Sequence, residues 1–138
     1  MPDIFADTAG WGHLVDTSQP YHALAATIYR TARENGQKLV TTNYIVAELI
    51  ALLTSPLRIP RPRLIDFITG IKTSPHVHII HVDTTLDTQA WQLLTQRRDK
   101  AWSLVDCASF VIMQREGLNE ALTTDQHFAQ AGFVLLLR

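Results

Sequence analysis

Apolar positions recur along the chain with two alternating periods. Ile4-Phe5-Ala6 is a short, unbroken apolar run that ends on an acid, Asp7, and predicts a buried strand. Between Pro20 and Asn35, Leu24, Ile28 and Ala32 return every fourth residue, which predicts a helix that Asn35-Gly36 terminates. Lys38 to Thr41 predicts a second strand, and Asn43 to Leu53 a helix capped by Thr42 or Asn43. Pro56, Pro60 and Pro62 then break the chain. Arg63 to Lys72 predicts a short helix with Leu64, Ile68 and Ile71 on one face. Val77 to Val82 predicts a third strand. Asp83 or Thr84 opens a helix that carries Leu86, Ala90, Leu93 and Leu94, and Ser103 opens another that runs to about Arg115. Ala121 to Thr123 and Phe133 to Leu137 predict a fourth and a fifth strand.

Strands that alternate with helices predict a parallel sheet with helices on both faces. No internal repeat or linker divides the chain, so residues 1–138 are expected to form one domain. Functional groups in such sheets gather beyond the carboxyl ends of the strands, where the strand order reverses.

Composition narrows the class. A chain that is 46% hydrophobic and 18% charged is not disordered, collagen-like or of low complexity. The longest stretch without Asp, Glu, Lys or Arg, Thr17 to Tyr29, is interrupted by Ser, Gln, Pro and His, so no membrane span is expected. Met-Pro-Asp-Ile-Phe-Ala-Asp lacks a basic leading region, so no signal peptide is expected. The single cysteine, Cys107, excludes an intrachain disulfide and fits a reducing, cytoplasmic setting. A net charge of −1 excludes an overall basic nucleic-acid coat, so any contact with nucleic acid must come from a local patch.

Of the 13 acidic residues, four stand in apolar company. Asp7 closes Ile4-Phe5-Ala6, Glu48 is the only charge between Tyr44 and Leu53, Asp106 is the only charge between Ala101 and Gln114, and Asp125 follows Ala121-Leu122-Thr123-Thr124. None has Lys or Arg within four residues. A carboxylate pushed toward apolar surroundings is costly unless it is paired, hydrogen-bonded or bound to metal. The predicted topology could bring all four to one sheet edge, where mutual repulsion suggests a divalent cation. Oxygen donors without a Cys/His set favour Mg2+ or Mn2+ over zinc. Each acid also has an ordinary reading. Asp106 completes a Ser-x-x-acid capping box with Ser103, Asp125 could cap a short helix through His127 and Phe128, and Asp7 could cap or turn before Gly10. Glu48 is the hardest to dismiss, because a helix interior offers its side chain no free backbone donor.

At these residues the sequence resembles the PIN-domain nucleases, and most closely the VapC-type toxins of bacterial toxin–antitoxin pairs. Ile4-Phe5-Ala6-Asp7-Thr8 resembles the family's first motif, and Thr41-Thr42-Asn43-Tyr44 through Ala47-Glu48 its second. Asp99 to Phe110, which contains Ser103 and Asp106, resembles the third, and Leu122 to Phe128, which contains Asp125, the fourth. Gly10-Trp11-Gly12-His13 departs from the pattern, since the family more often runs straight into an apolar helix there; that bears on the shape of the cleft edge. The resemblance implies a three-layer α/β/α sandwich with a central parallel sheet. It implies an endoribonuclease that uses Mg2+ or Mn2+ held by Asp7, Glu48, Asp106 and Asp125. It also implies a homodimer neutralised by a small antitoxin protein. Thr8 and Thr124 adjoin two of the acids, and Ser103 precedes a third by one helical turn, so each is expected to position its neighbour. Alternatives are a non-toxin or non-catalytic PIN-domain RNA-binding protein, and a response-regulator-like phosphoacceptor domain. The last would want paired acids after the first strand and a late lysine, and no lysine follows Lys100.

Two basic stretches, Arg58, Arg61 and Arg63, then Arg97, Arg98 and Lys100, are candidates for gripping RNA phosphates or are solvated loops. His76, His78 and His81 surround the third strand, and His76 and His78 share one of its faces, but no further Cys or His is well placed to complete a zinc site. Cys107, amid Ala108, Phe110 and Val111, reads as buried core and not as a nucleophile.

Overall fold

A computed structural model describes residues 1–138. Five strands form the sheet: β1 (Ile4–Ala6), β2 (Leu39–Thr42), β3 (Val77–Ile80), β4 (Glu120–Leu122) and β5 (Val134–Leu135). They pair in the order β3-β2-β1-β4-β5, parallel throughout. β1 and β2 are buried along their whole length, as central parallel strands are; β1 is wholly apolar, and β2 ends on two buried threonines, Thr41 and Thr42.

Seven helices connect them: α1 (Thr8–Val15), α2 (His22–Glu34), α3 (Asn43–Thr54), α4 (Arg61–Thr73), α5 (Thr84–Gln96), α6 (Leu104–Glu116) and α7 (Gln126–Gln130). From β1 to β2 to β3 the chain steps one way across the sheet; from β3 to β4 to β5 it steps back. Right-handed crossovers therefore put the first four helices on one face and the last three on the other. Packing agrees: α1 lies against α2 and α3, and α3 against α4, whereas α6 lies against α5 and α7. The result is an α/β/α sandwich, with 31 buried hydrophobic residues in one contiguous cluster. The direction reverses between β2 and β4, on either side of β1, which makes the carboxyl end of β1 the switch point.

Local chemistry sets most element ends. The Thr42 hydroxyl accepts from Ile45 N and starts α3, and Gly117 closes α6 with φ 69°, a conformation a side chain would disfavour. Val82 N donates to Asn43 Oδ1 at 2.7 Å, so β3 ends at Ile80, short of the expected Val82. The expected break falls between Thr54 and Arg61, but α4 starts two residues before the expected Arg63 and takes in Pro62. Pro60 is the N-cap of α4 and Pro62 lies in its first turn, where a missing N–H costs nothing.

Although the sequence departs from the family pattern at Gly10-Trp11-Gly12-His13, α1 runs straight through these residues. The glycine belongs to the packing: a Cβ on Gly10 would stand 1.9 Å from the Leu122 carbonyl oxygen of β4. Only glycine lets α1 press its first turn against the strand that leads to Asp125.

Candidate active site

Asp7 is the first residue beyond β1 and the N-cap of α1. Its Oδ1 accepts from Gly10 N at 3.0 Å, and its Oδ2 accepts from Thr123 Oγ1 at 2.7 Å. Glu48 sits one turn into α3, beyond β2, and its Oε1 accepts from the Thr8 hydroxyl. Asp106 lies in the first turn of α6. Its Oδ2 accepts from Ser103 N at 3.0 Å while Ser103 Oγ accepts from Asp106 N at 3.0 Å, a full capping box. Asp125 follows β4 and caps α7, with Oδ1 accepting from His127 N at 2.9 Å.

These four acids, from four separate segments, line one cavity of about 220 Å³, walled by Ile45, Leu52, Val105 and Phe128. Four larger cavities, of about 380, 560, 240 and 280 Å³, lie elsewhere; the first holds one carboxylate, Asp66, the last holds two, Asp3 and Glu116, and the other two hold none. Chemistry rather than size singles out the smaller one.

The ordinary and the functional readings of the acids turn out to be compatible. Capping takes one oxygen from Asp106 and one from Asp125, and Thr8 takes one from Glu48. Asp106 Oδ1, Asp125 Oδ2 and Glu48 Oε2 accept no hydrogen bond from the protein. The caps fix each carboxylate and leave it one free oxygen.

Asp7 differs: both of its oxygens are engaged and it is 7% exposed. Burial lifts its pKa to about 7, the bonds from Gly10 and Thr123 pull it down, and the charges of Asp125 and Asp106 push it up. Glu48, expected to be the acid least at ease, is exposed at the cavity rim. The buried face of α3 is Ile45, Val46, Leu49 and Leu53, and position 48 falls beside that stripe.

Ser103 touches Asp106, the acid it precedes, whereas the Thr8 hydroxyl donates not to its neighbour Asp7 but to Glu48 of α3. Thr124 makes no side-chain hydrogen bond; its neighbour Thr123 takes that place. Thr123 is fully buried, donates to Asp7, and accepts from Asp125 N at 2.9 Å, so one hydroxyl joins two acids. His127 is the second residue sequence reasoning missed: its Nδ1 lies 2.9 Å from Asp106 Oδ2 and 3.5 Å from Asp125 Oδ1. The Asp125-x-His127 spacing across a helix start was the available signal.

None of the six basic candidates lines the cavity. Arg58, Arg61, Arg63 and Arg98 are exposed and Lys100 is half-buried. Arg97 donates twice to Asp99 at 3.0 Å and lies over the Trp102 ring at 5.0 Å. Arg98 Nε donates to Thr95 O at 3.2 Å. Cys107 is buried, and burial first, then the charge of Asp106, pushes its thiol up to about 11, which rules out an active thiolate.

Fold and site together define a doubly wound α/β protein with a carboxylate cluster at its switch point. The chain belongs to the PIN domain family, whose match spans residues 4–134. It is similar to the 23S rRNA-specific endonuclease VapC20 of two strains of Mycobacterium tuberculosis, at 30% identity over 131 residues, 95% of each chain. It is also similar to the crystal structure of Mycobacterium tuberculosis VapC20, described as a sarcin-ricin loop cleaving toxin. That match has a TM-score of 0.83 at 27% identity and covers 96% of this chain and 97% of the other.

Proposed function

We propose that the protein is an Mg2+- or Mn2+-dependent endoribonuclease that hydrolyses RNA phosphodiesters. One observation carries the reading: four carboxylates from four segments meet on one cavity, and three of them keep an unclaimed oxygen. RNA is a polyanion, so such a cavity repels it unless a cation intervenes.

The donor set fits a hard divalent ion. Oxygens of Asp7, Glu48, Asp106 and Asp125 would hold it, and Asp106 and Asp125 already present carboxylate oxygens within 4.8 Å of each other. A cation bound there supplies an activated water at neutral pH and neutralises charge on the leaving oxygen. The chain's own residues do the rest. Thr123 holds Asp7 and the backbone of Asp125 in register, Ser103 fixes Asp106, and Thr8 fixes Glu48. Glu48, at the exposed rim, is placed to orient the incoming water through its free oxygen.

The similarity to VapC20 supports a finer reading: a cytoplasmic toxin of a bacterial type II pair, active as a homodimer and neutralised by a small cognate antitoxin. Because VapC20 is described as acting on 23S rRNA at the sarcin-ricin loop, that loop is the first RNA to test. Purified protein is expected to cut RNA in Mg2+ or Mn2+ and to stop in EDTA. Cleavage that persists in excess chelator refutes metal dependence. Growth arrest on expression, relieved by a co-expressed small partner, tests the toxin reading; unimpaired growth alongside measured nuclease activity refutes it.

A further inference from the structure

His127 is polar, 31% exposed at its side chain, and does not line the cavity of the four acids. It approaches Asp106 and Asp125 on the oxygens that already cap helices. Asp106 Oδ2 accepts Ser103 N, and His127 Nδ1 stands 2.9 Å from that same atom. Asp125 Oδ1 accepts His127 N, and His127 Nδ1 stands 3.5 Å from it. A carboxylate oxygen only accepts, so Nδ1 carries the hydrogen and Nε2 does not when the ring is neutral. The imidazole thus ties the first turn of α6 to the start of α7, two segments also joined by the packing of Phe110 on Phe128, at 4.9 Å between ring centroids, and, farther along α7, by Trp102 Nε1 donating to Gln130 Oε1 at 3.0 Å.

We infer that His127 is a positioning residue of the metal site: it donates Nδ1–H to the capping oxygens of Asp106 and Asp125, and so keeps Asp106 Oδ1 and Asp125 Oδ2 free for the cation. The role rests on the metal-dependent reading above. Without the imidazole, the Asp106 side chain keeps its capping bond but loses the tie that fixes its distance from Asp125. An outer partner of this kind typically changes metal affinity by about 10–100-fold when removed.

The test is Mn2+ titration followed by electron paramagnetic resonance, in which the free ion gives a six-line signal that the bound ion loses. His127→Ala is expected to weaken Mn2+ binding about 10-fold or more. His127→Asn, whose amide nitrogen occupies the place of Nδ1, is expected to keep wild-type affinity. His127→Gln, whose amide reaches to the place of Nε2, is expected to behave like the alanine variant. Pulsed measurements on bound Mn2+ are expected to show no directly coordinated nitrogen. Melting of the metal-free variants accompanies the titration, and is expected to show no loss of folded protein. Wild-type affinity in His127→Ala overturns the proposal, as does an asparagine variant no better than alanine, or affinity that merely follows the melting temperature. A directly bound nitrogen that disappears in His127→Ala makes the residue a ligand and also overturns it. Absence of Mn2+ binding by the wild type overturns the metal-dependent reading itself and this role with it.

Discussion

Replacing Asp7 with Asn should make the metal-free protein more stable above neutral pH and less stable in acid. Asp7 titrates in the fold near 7 instead of its ordinary 3.8, because burial disfavours its charge. Its folded pKa is raised, so the stability linked to it is fully present below the unfolded value. That stability falls away as pH rises and is lost once pH passes the folded value near 7. A shift of about three units, at 1.36 kcal/mol each, sets a ceiling of about 4 kcal/mol on this loss. Asn keeps the acceptor for Gly10 N but presents an amide to Thr123, whose hydroxyl then loses its acceptor, at about 1 kcal/mol. The net gain above pH 8 is therefore about 2–3 kcal/mol, roughly 6–10 °C in melting temperature for a chain this size. Near pH 4 the charge penalty is absent, and the variant should melt slightly below the wild type. The assay is thermal melting in EDTA from pH 4 to 9. Parallel profiles for the two proteins would falsify the assignment of strain to Asp7.

Thr123→Val keeps the shape of the side chain but leaves Asp7 Oδ2 and Asp125 N without their partner. It should cost about 1–3 kcal/mol by chemical denaturation and sharply reduce cleavage. Gly10→Ala drives a Cβ into the Leu122 carbonyl, where backbone cannot yield cheaply, and should abolish soluble folded protein by circular dichroism. A cation must displace the proton Asp7 holds near neutrality, so Mn2+ affinity should rise from pH 6 to 8. Calorimetry in buffers of different ionisation enthalpy should record up to about one proton released, and none from Asp7→Asn.

The strands and most helices were legible because their apolar residues follow periods that the backbone imposes. α1 was hidden because Gly10 and Gly12 weaken the local helical signal, and the reason for Gly10 is a contact with β4 more than 100 residues away in sequence. The acids stood out through their apolar neighbours, but their ranking did not. Glu48 looked the most strained, yet a period of 3.6 places it beside the buried stripe of α3, whereas Asp7, ending a central strand, is the acid that is buried. The hydrogen bond between Thr123 and Asp7 joins residues 116 positions apart, and no local pattern announces it. Thr124 was singled out because it adjoins Asp125, but it is Thr123, just beyond β4, that is buried against Asp7, while Thr124 is half-buried.

Anomalous diffraction from crystals soaked in Mn2+ tests the central claim most directly. The four-carboxylate site predicts a manganese peak in the cavity among Asp7, Glu48, Asp106 and Asp125, lost in crystals of Asp106→Asn. A cavity without a peak at saturating Mn2+, or the same peak in the variant, would contradict it.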